Sequence, residues 1–237
     1  MHTVPLARLL ADDPAGTAIL LDVDGTLAPI VPRPEDAAVP DATRGELRRL
    51  HARYALVACI SGRPAEDAAR VVGVPELRYV GEHGLELDPA AEAWAAAIAA
   101  FADSVDWPAE RKPLTVSFHY RTAADRADAE RVLAEAAERA RGAGLVPRWG
   151  RLVLEIRPPL ETGKGTAVRA LLSEHGLRRA LYAGDDTTDL DAFRALDELE
   201  LAVRVGVVTE EGPPELRGAA DLVVGGPSEL LELLRAL

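Results

Sequence analysis

The hydrophobic pattern divides the chain into three stretches. Over the first third, apolar runs at 17–22, 54–61 and 78–81 predict buried strands, and the periodicity of 41–51 and 64–72 predicts helices between them. The first of these helices reads as capped by Asp41 or Thr43, the second as carrying Pro64 in its first turn. The same rhythm returns near the end. Strands are predicted over 180–184, 201–205 and 221–224, and helices over 162–175, 186–196 and 228–237, with Gly176 as a stop signal for the first. Strand–helix alternation of this kind predicts an α/β core, with a parallel sheet covered by helices on both faces.

The middle follows a different pattern. Leu114-Thr115-Val116-Ser117-Phe118-His119-Tyr120 alternates apolar and polar positions as an open-faced strand does, and 123–141 is a long Ala/Arg/Glu helix. In 148–157, Trp149-Gly150-Arg151 reads as a hairpin turn leading into Leu152-Val153-Leu154-Glu155-Ile156-Arg157. The alanine-rich 90–102 is helix-competent. The expected organisation is an α/β core formed by 1–86 and 160–237, interrupted by a small α+β unit over 87–159.

Composition narrows the classes of function. The 237 residues carry a formal net charge of −12 and are 48% hydrophobic, which points to a folded chain. The acidic balance argues against nucleic acid and anionic membrane surfaces as partners. Cys59 is the single cysteine, so neither an intrachain disulfide nor a cysteine-built metal site is available, and its apolar neighbours make it a core thiol. No stretch reads as a signal peptide or a membrane span, so a cytoplasmic location is expected. Cationic charge rests almost wholly on arginine. Lys112 and Lys164 are the two lysines, and a lysine kept in such a chain marks a position where arginine does not substitute.

Four segments carry the candidate chemistry. Asp22-Val23-Asp24-Gly25-Thr26 follows the first predicted strand, where ligands of open α/β sheets bind. Positions i and i+2 of an extended segment point the same way, so both carboxylates are expected in one cleft, with a cation or a shared proton relieving their repulsion. Thr26 can offer a hydroxyl and an amide to an anion. Ser61-Gly62-Arg63 ends the second strand, as a phosphoryl-oxygen site or as a helix N-cap with Arg63 solvated. Lys164, in Thr162-Gly163-Lys164-Gly165, opens a helix whose N-terminus favours anions. Gly184-Asp185-Asp186-Thr187-Thr188-Asp189 ends a later strand, and its three carboxylates suit Mg²⁺, which takes oxygen ligands.

In this order the four segments resemble the haloacid-dehalogenase-like phosphohydrolase superfamily. The resemblance implies a Rossmann-like core with an inserted cap of type IIB that carries substrate specificity. It also implies that Asp22 attacks phosphorus to give an aspartyl-phosphate, while Asp24 protonates the leaving alcohol and then activates water. Ser61 and Lys164 would hold phosphoryl oxygens, with Thr26, Gly62 and Arg63 around them. Mg²⁺ would be bound by Asp22, the backbone carbonyl of Asp24 and Asp185, with Asp186 or Asp189 in support.

Further segments are similar to trehalose-6-phosphate phosphatases: Gly81-Glu82-His83-Gly84-Leu85-Glu86, Ser117-Phe118-His119-Tyr120-Arg121, and Gly150 through Pro158 with its Glu155-Ile156-Arg157-Pro158 end. Carried over by position, Glu110, Arg121, Arg151 and Glu155 would contact the sugar and its phosphate; the alternative is surface charge at Glu110 and Arg151 and a cross-strand pair of Arg121 with Glu155. His119 reads as structural. Two departures stand out: Leu190 replaces an acidic residue of the family, and Glu161-Thr162-Gly163 replaces its usual approach to the lysine. The expected partner is a small-molecule sugar phosphate, acted on by a monomer. Phosphatases of mannosyl- or glucosyl-3-phosphoglycerate or sucrose 6-phosphate, and a non-catalytic sugar-phosphate sensor, are the competing readings.

Overall fold

The computed structural model describes residue 6 and residues 9–150, 152–209 and 212–237. The chain folds into two compact units, Met1–Gly84 with Thr162–Leu237, and Leu85–Glu161.

The first unit is built on six strands: β1 (Thr17–Leu21), β2 (Leu56–Ile60), β3 (Arg78–Val80), β8 (Arg179–Gly184), β9 (Leu201–Val207) and β10 (Leu222–Val224). They form one parallel sheet in the order β10-β9-β8-β1-β2-β3. Every residue of β1 and β2 is buried, as strands covered on both faces must be, and this explains their unbroken apolar runs. Helices α1 (Asp41–His51), α2 (Ala65–Val72), α5 (Lys164–Glu174), α6 (Asp189–Arg194), α7 (Pro214–Ala219) and α8 (Pro227–Arg235) complete the unit. A core that includes Ile19, Leu21, Leu47, Val57, Val71, Leu181, Val205 and Leu234 packs the sheet against α1, α2 and α8.

Topology locates the place for a site. From β1 the chain steps outward through β2 and β3, then returns to β8 on the other side of β1 and continues to β10. The strand order therefore reverses between β1 and β8, where open α/β sheets bind ligands at the strands' carboxyl ends. Leu21 is in register with both Cys59 and Ala183, so β1, β2 and β8 end level with one another.

The second unit is an antiparallel sheet, order β4-β5-β7-β6, of β4 (Glu110–Arg111), β5 (Val116–His119), β6 (Val146–Gly150) and β7 (Val153–Arg157). Helices α3 (Ala95–Asp103) and α4 (Arg126–Gly142) pack on one face through Ile98, Phe101, Leu133, Ala137, Phe118, Leu154 and Ile156. Asp125 caps α4 by accepting hydrogen bonds from the backbone of Ala127 and Asp128 at 2.9 and 3.1 Å.

Several local expectations change. Pro40 and Pro64 occupy the N-cap positions of α1 and α2, so neither Asp41 nor Thr43 caps the first helix and Pro64 precedes the second. Trp149 and Gly150 belong to strand β6 and are not part of the hairpin turn. Trp149 pairs with Leu154 across the ladder, and its ring meets Tyr120 edge-on with centroids 6.3 Å apart, which keeps it in the strand. Leu152, at φ 58°, takes the left-handed conformation of the turn. Among the described residues no helix is long and apolar enough to cross a membrane.

Candidate active site

Asp22 follows β1 directly and is 5% exposed. Its backbone N–H donates to Ala183 O at 2.9 Å, continuing the ladder to β8. Immediately afterwards the chain turns, with the N–H groups of Leu27 and Ala28 both donating to Val23 O. Gly25 sits at φ +86°, and a Cβ there would lie 2.0 Å from Asp185 Oδ2. Glycine is required on both counts, because the turn is left-handed and the carboxylate of Asp185 fills the space a side chain would take.

Lys164 is the first residue of α5 and is 3% exposed. Its ammonium donates to Asp22 Oδ1 at 2.6 Å and to Asp189 Oδ1 at 2.7 Å. The start of α5 is fixed by Thr166, whose Oγ1 accepts from the Gly163 N–H at 2.9 Å, and also from outside the helix. Asp191 Oδ2 accepts from the Gly165 N–H at 2.9 Å, and a Cβ on Gly165 would lie 2.6 Å from the Asp191 carbonyl oxygen. The Glu161-Thr162-Gly163 segment thus leads into a helix start that depends on glycine and on an acid of α6.

Asp189 is fully buried. Besides Lys164, its Oδ1 accepts from the Tyr182 hydroxyl at 2.7 Å, and its Oδ2 accepts from the Asp185 and Asp186 backbone N–H groups at 3.0 and 2.9 Å. Those four bonds use the acceptor capacity of a carboxylate. Asp186 is exposed, with its own Oδ1 accepting from the Thr187 N–H at 2.7 Å.

Carboxylate oxygens of Asp22, Asp185 and Asp189 lie within 4.8 Å of one another. Three carboxylates around one ammonium leave an excess of two negative charges in a buried space. Burial pushes the Asp22 carboxyl up to about 7, with the Lys164 charge opposing the rise. Burial and the charges of Asp22 and Asp189 push Asp185 to about 9. Lys164 is held well above its ordinary range by the two carboxylates it bridges, which outweigh its burial. A cluster with surplus negative charge and oxygen donors fits a hard divalent cation such as Mg²⁺. With Asp189 saturated, Asp22 and Asp185 are the side chains with acceptor capacity to hold one.

Asp24 has a partner of its own, and its charge lies near enough to Asp22 to help raise that carboxyl. Its two oxygens accept from Arg63 Nε and Nη2, each at 2.8 Å. Arg63 in turn donates to Asp67 Oδ2 at 2.7 Å and to Pro34 O at 3.0 Å. The guanidinium is therefore not solvated: it clamps Asp24. Ser61 does not cap α2, whose N-cap is Pro64. It is 1% exposed, with its Oγ accepting from the Arg63 N–H at 3.1 Å. Thr26 is buried, and its hydroxyl donates to Asp185 Oδ1 at 3.4 Å. Gly62 closes on His83, whose Nε2 would lie 2.6 Å from a Cβ at that position. Buried Cys59 has its thiol pushed up by burial, in keeping with a core role.

In the second unit, Glu155 is buried and lies 3.5 Å from Lys112 Nζ and 3.9 Å from Arg157 Nε. Among the described residues its ion pairs are with Lys112 and Arg157, and Arg121, the alternative partner, is exposed. Glu110 Oε2 lies 2.6 Å from His119 Nε2. Arg151 lies outside the described residues. Sequence reasoning thus missed the parts played by Tyr182, Asp191 and Lys112. For Lys112 a signal existed, since it is one of the chain's two lysines.

Comparison with known proteins places this geometry. A family profile described as Trehalose-phosphatase matches residues 20–108 and 107–222. An uncharacterized glycosyl hydrolase of Mycobacterium tuberculosis is 36% identical over 76% of this chain, which spans 15% of that protein. The trehalose-phosphate phosphatase of Mycobacterium avium is 38% identical over 78% of this chain and 53% of its own length. The chain therefore spans about half, or far less, of these curated relatives. Among solved structures, the C-terminal domain of the Candida albicans trehalose-6-phosphate phosphatase superposes with a TM-score of 0.77 at 23% identity, covering 98% of this chain and 95% of that one. A haloalkanoate (HAD) superfamily phosphatase from Bacteroides thetaiotaomicron gives 0.59 at 16% identity, covering 92% and 94%. The shared fold is the HAD-like α/β core with an inserted α+β domain.

Proposed function

The chain belongs to the trehalose-phosphatase family, and on that premise we propose that it hydrolyses trehalose 6-phosphate to trehalose and inorganic phosphate. The observation that carries the reading is the buried Lys164 ammonium, 2.6 Å from Asp22 at the topological switch point of the sheet. A binding module has no need of a buried carboxylate with a cation at its side; a nucleophile attacking an anion does.

In the proposed reaction an Asp22 oxygen attacks phosphorus, the bond to the sugar oxygen breaks, and an aspartyl-phosphate forms. Asp24 delivers a proton to the departing sugar oxygen. It later takes one from the water that attacks phosphorus, releasing phosphate and restoring Asp22. Arg63 holds both Asp24 oxygens at rest, so proton delivery requires at least one of those bonds to open. Lys164, Ser61 and the amides around Thr26 and Gly62 hold phosphoryl oxygens, and Lys164 offsets charge that grows on them in the transition state. Bound through Asp22 and Asp185, Mg²⁺ would supply further charge neutralisation at the phosphoryl group. Sugar recognition falls to the insert, where Glu110, Arg121, Arg151 and Glu155 are the proposed contacts. Carboxylates there accept from sugar hydroxyls and arginines hold oxygens.

The test is phosphate release with Mg²⁺ from trehalose 6-phosphate, sucrose 6-phosphate and the glucosyl and mannosyl 3-phosphoglycerates. Trehalose 6-phosphate should give the highest kcat/KM, and Asp22→Asn should abolish turnover while retaining the wild-type circular dichroism. A different best substrate would move the assignment to that sugar. Retained turnover in Asp22→Asn would rule out the covalent route.

A further inference from the structure

We propose that the hydroxyl of Tyr182 is a positioning group for Lys164, acting through the carboxylate of Asp189; the proposal rests on Lys164 serving the phosphoryl group as described above. Tyr182 lies inside β8, fully buried. Its ring packs edge-on to Phe193, with centroids 6.0 Å apart and planes at 83°. Phenylalanine would fill the same space without bringing a hydroxyl into the core, and a buried hydroxyl is costly unless it is hydrogen-bonded. This one donates to Asp189 Oδ1 at 2.7 Å, the oxygen that also accepts from Lys164.

That shared oxygen is where the positioning arises. Lys164 Nζ is nearly equidistant from Asp22 and Asp189, at 2.6 and 2.7 Å. Asp189 Oδ2 is occupied by two backbone N–H groups, so Oδ1 carries the charge that competes with Asp22 for the ammonium. A second donor on Oδ1 reduces that pull. Without the Tyr182 hydroxyl, Lys164 is the side-chain donor left to this oxygen, and the ammonium shifts toward Asp189 and away from Asp22. Phe193 supports the ring, and the hydroxyl ends on Asp189.

The test compares wild type with Tyr182→Phe on the best substrate of the panel. Losing one charge-assisted hydrogen bond should lower kcat about tenfold with KM within about twofold, while the thermal midpoint falls by only a few degrees and the protein stays folded, because the core volume is retained. The same substitution placed in an Asp189→Asn background should add little further loss, since residues acting through one another are not additive. A crystal structure of Tyr182→Phe supplies a readout independent of turnover: Lys164 Nζ should lie beyond hydrogen-bonding distance of Asp22. Unchanged kcat, an equal loss in the Asp189→Asn background, or Lys164 found still bonded to Asp22 would each overturn the proposal. If the wild type releases no phosphate from any substrate, the catalytic reading fails, while the crystal structure still decides whether the hydroxyl sets the lysine.

Discussion

Replacing Lys164 with methionine removes the ammonium from the carboxylate cluster while keeping a side chain of similar length. Both of its partners are buried, at 7% and 0% side-chain exposure, so the surviving charges have little water to turn to. Breaking a buried pair from one side costs about 3–5 kcal/mol. The cost should depend on pH. Asp22 already stands at about 7 with the lysine present, and without it the carboxyl rises further. A carboxyl raised in the folded state contributes stability that is fully present below its unfolded value, near 4, and is lost as pH rises through its folded value. Below about pH 6 both proteins hold Asp22 protonated, and the variant suffers least. Above about pH 7 the wild type releases this proton and the variant keeps it. The folded variant then binds one more proton, and its penalty grows by about 1.4 kcal/mol per pH unit. Between about pH 7 and 8.5 that amounts to ~2 kcal/mol. Urea unfolding of both proteins with chelator present, at pH 6, 7 and 8.5, measures it. A penalty that is constant with pH, or that shrinks as pH rises, would refute the coupling between Lys164 and Asp22.

Three further outcomes are expected. Mg²⁺ should raise the thermal midpoint of the wild type more at pH 8.5 than at pH 6, because protons on Asp22 and Asp185, raised to about 7 and 9, compete with the ion; an equal rise at both pH values would contradict the assignment of the ligands. Gly25→Ala brings about 1–2 kcal/mol of left-handed strain and a methyl 2.0 Å from Asp185 Oδ2, so calorimetry should show Mg²⁺ binding weakened at least tenfold, and unaltered affinity would count against Asp185. Lys112→Met should destabilise the protein by about 2 kcal/mol in urea, since it leaves Glu155, at 11% side-chain exposure, without its lysine partner; a change below ~0.5 kcal/mol would show the pair to be weak.

How much of this was legible in the sequence depends on the range of the interaction. The strands were readable because apolar runs bounded by Asp22, Ser61 and Gly184 suit a parallel sheet buried on both faces, and the topological rule then placed their ends together. Lys164 was readable from its scarcity and its helix start. What escaped depends on contacts distant in sequence or on geometry finer than a pattern. The Asp24–Arg63 clamp joins residues 39 apart, and spacing within Asp22-Val23-Asp24 says nothing of it. Strand β4 has two residues, Glu110 and Arg111, and is defined by its ladder to Ser117 and Val116. The hairpin turn lies after Gly150, which closes β6, and among the described residues of the hairpin the left-handed one is Leu152. Tyr182 sits in Ala180-Leu181-Tyr182-Ala183, where it reads as one more apolar position until its hydroxyl is seen to end on Asp189.

The cluster sorts its carboxylates by how many donors each receives, and this sorting bears on the neighbouring Leu190. Three acids within 4.8 Å look interchangeable in sequence, yet Asp189 takes four hydrogen bonds from Lys164, Tyr182 and two backbone amides. It has become the fixed counter-ion of the lysine and the anchor of the turn that carries Asp185. Asp22 and Asp185 keep acceptor capacity, which is what the proposed nucleophile and the proposed metal ligand would each require. Leu190 follows this saturated residue and adds neither charge nor a donor. An acid at that position would add a further negative charge close to a cluster that already exceeds its ammonium by two, raising the Asp22 and Asp185 carboxyls further in the metal-free state. On this account the leucine leaves the organisation of the cluster intact, because Asp189, held by two amides of its own loop, already does the work of orientation.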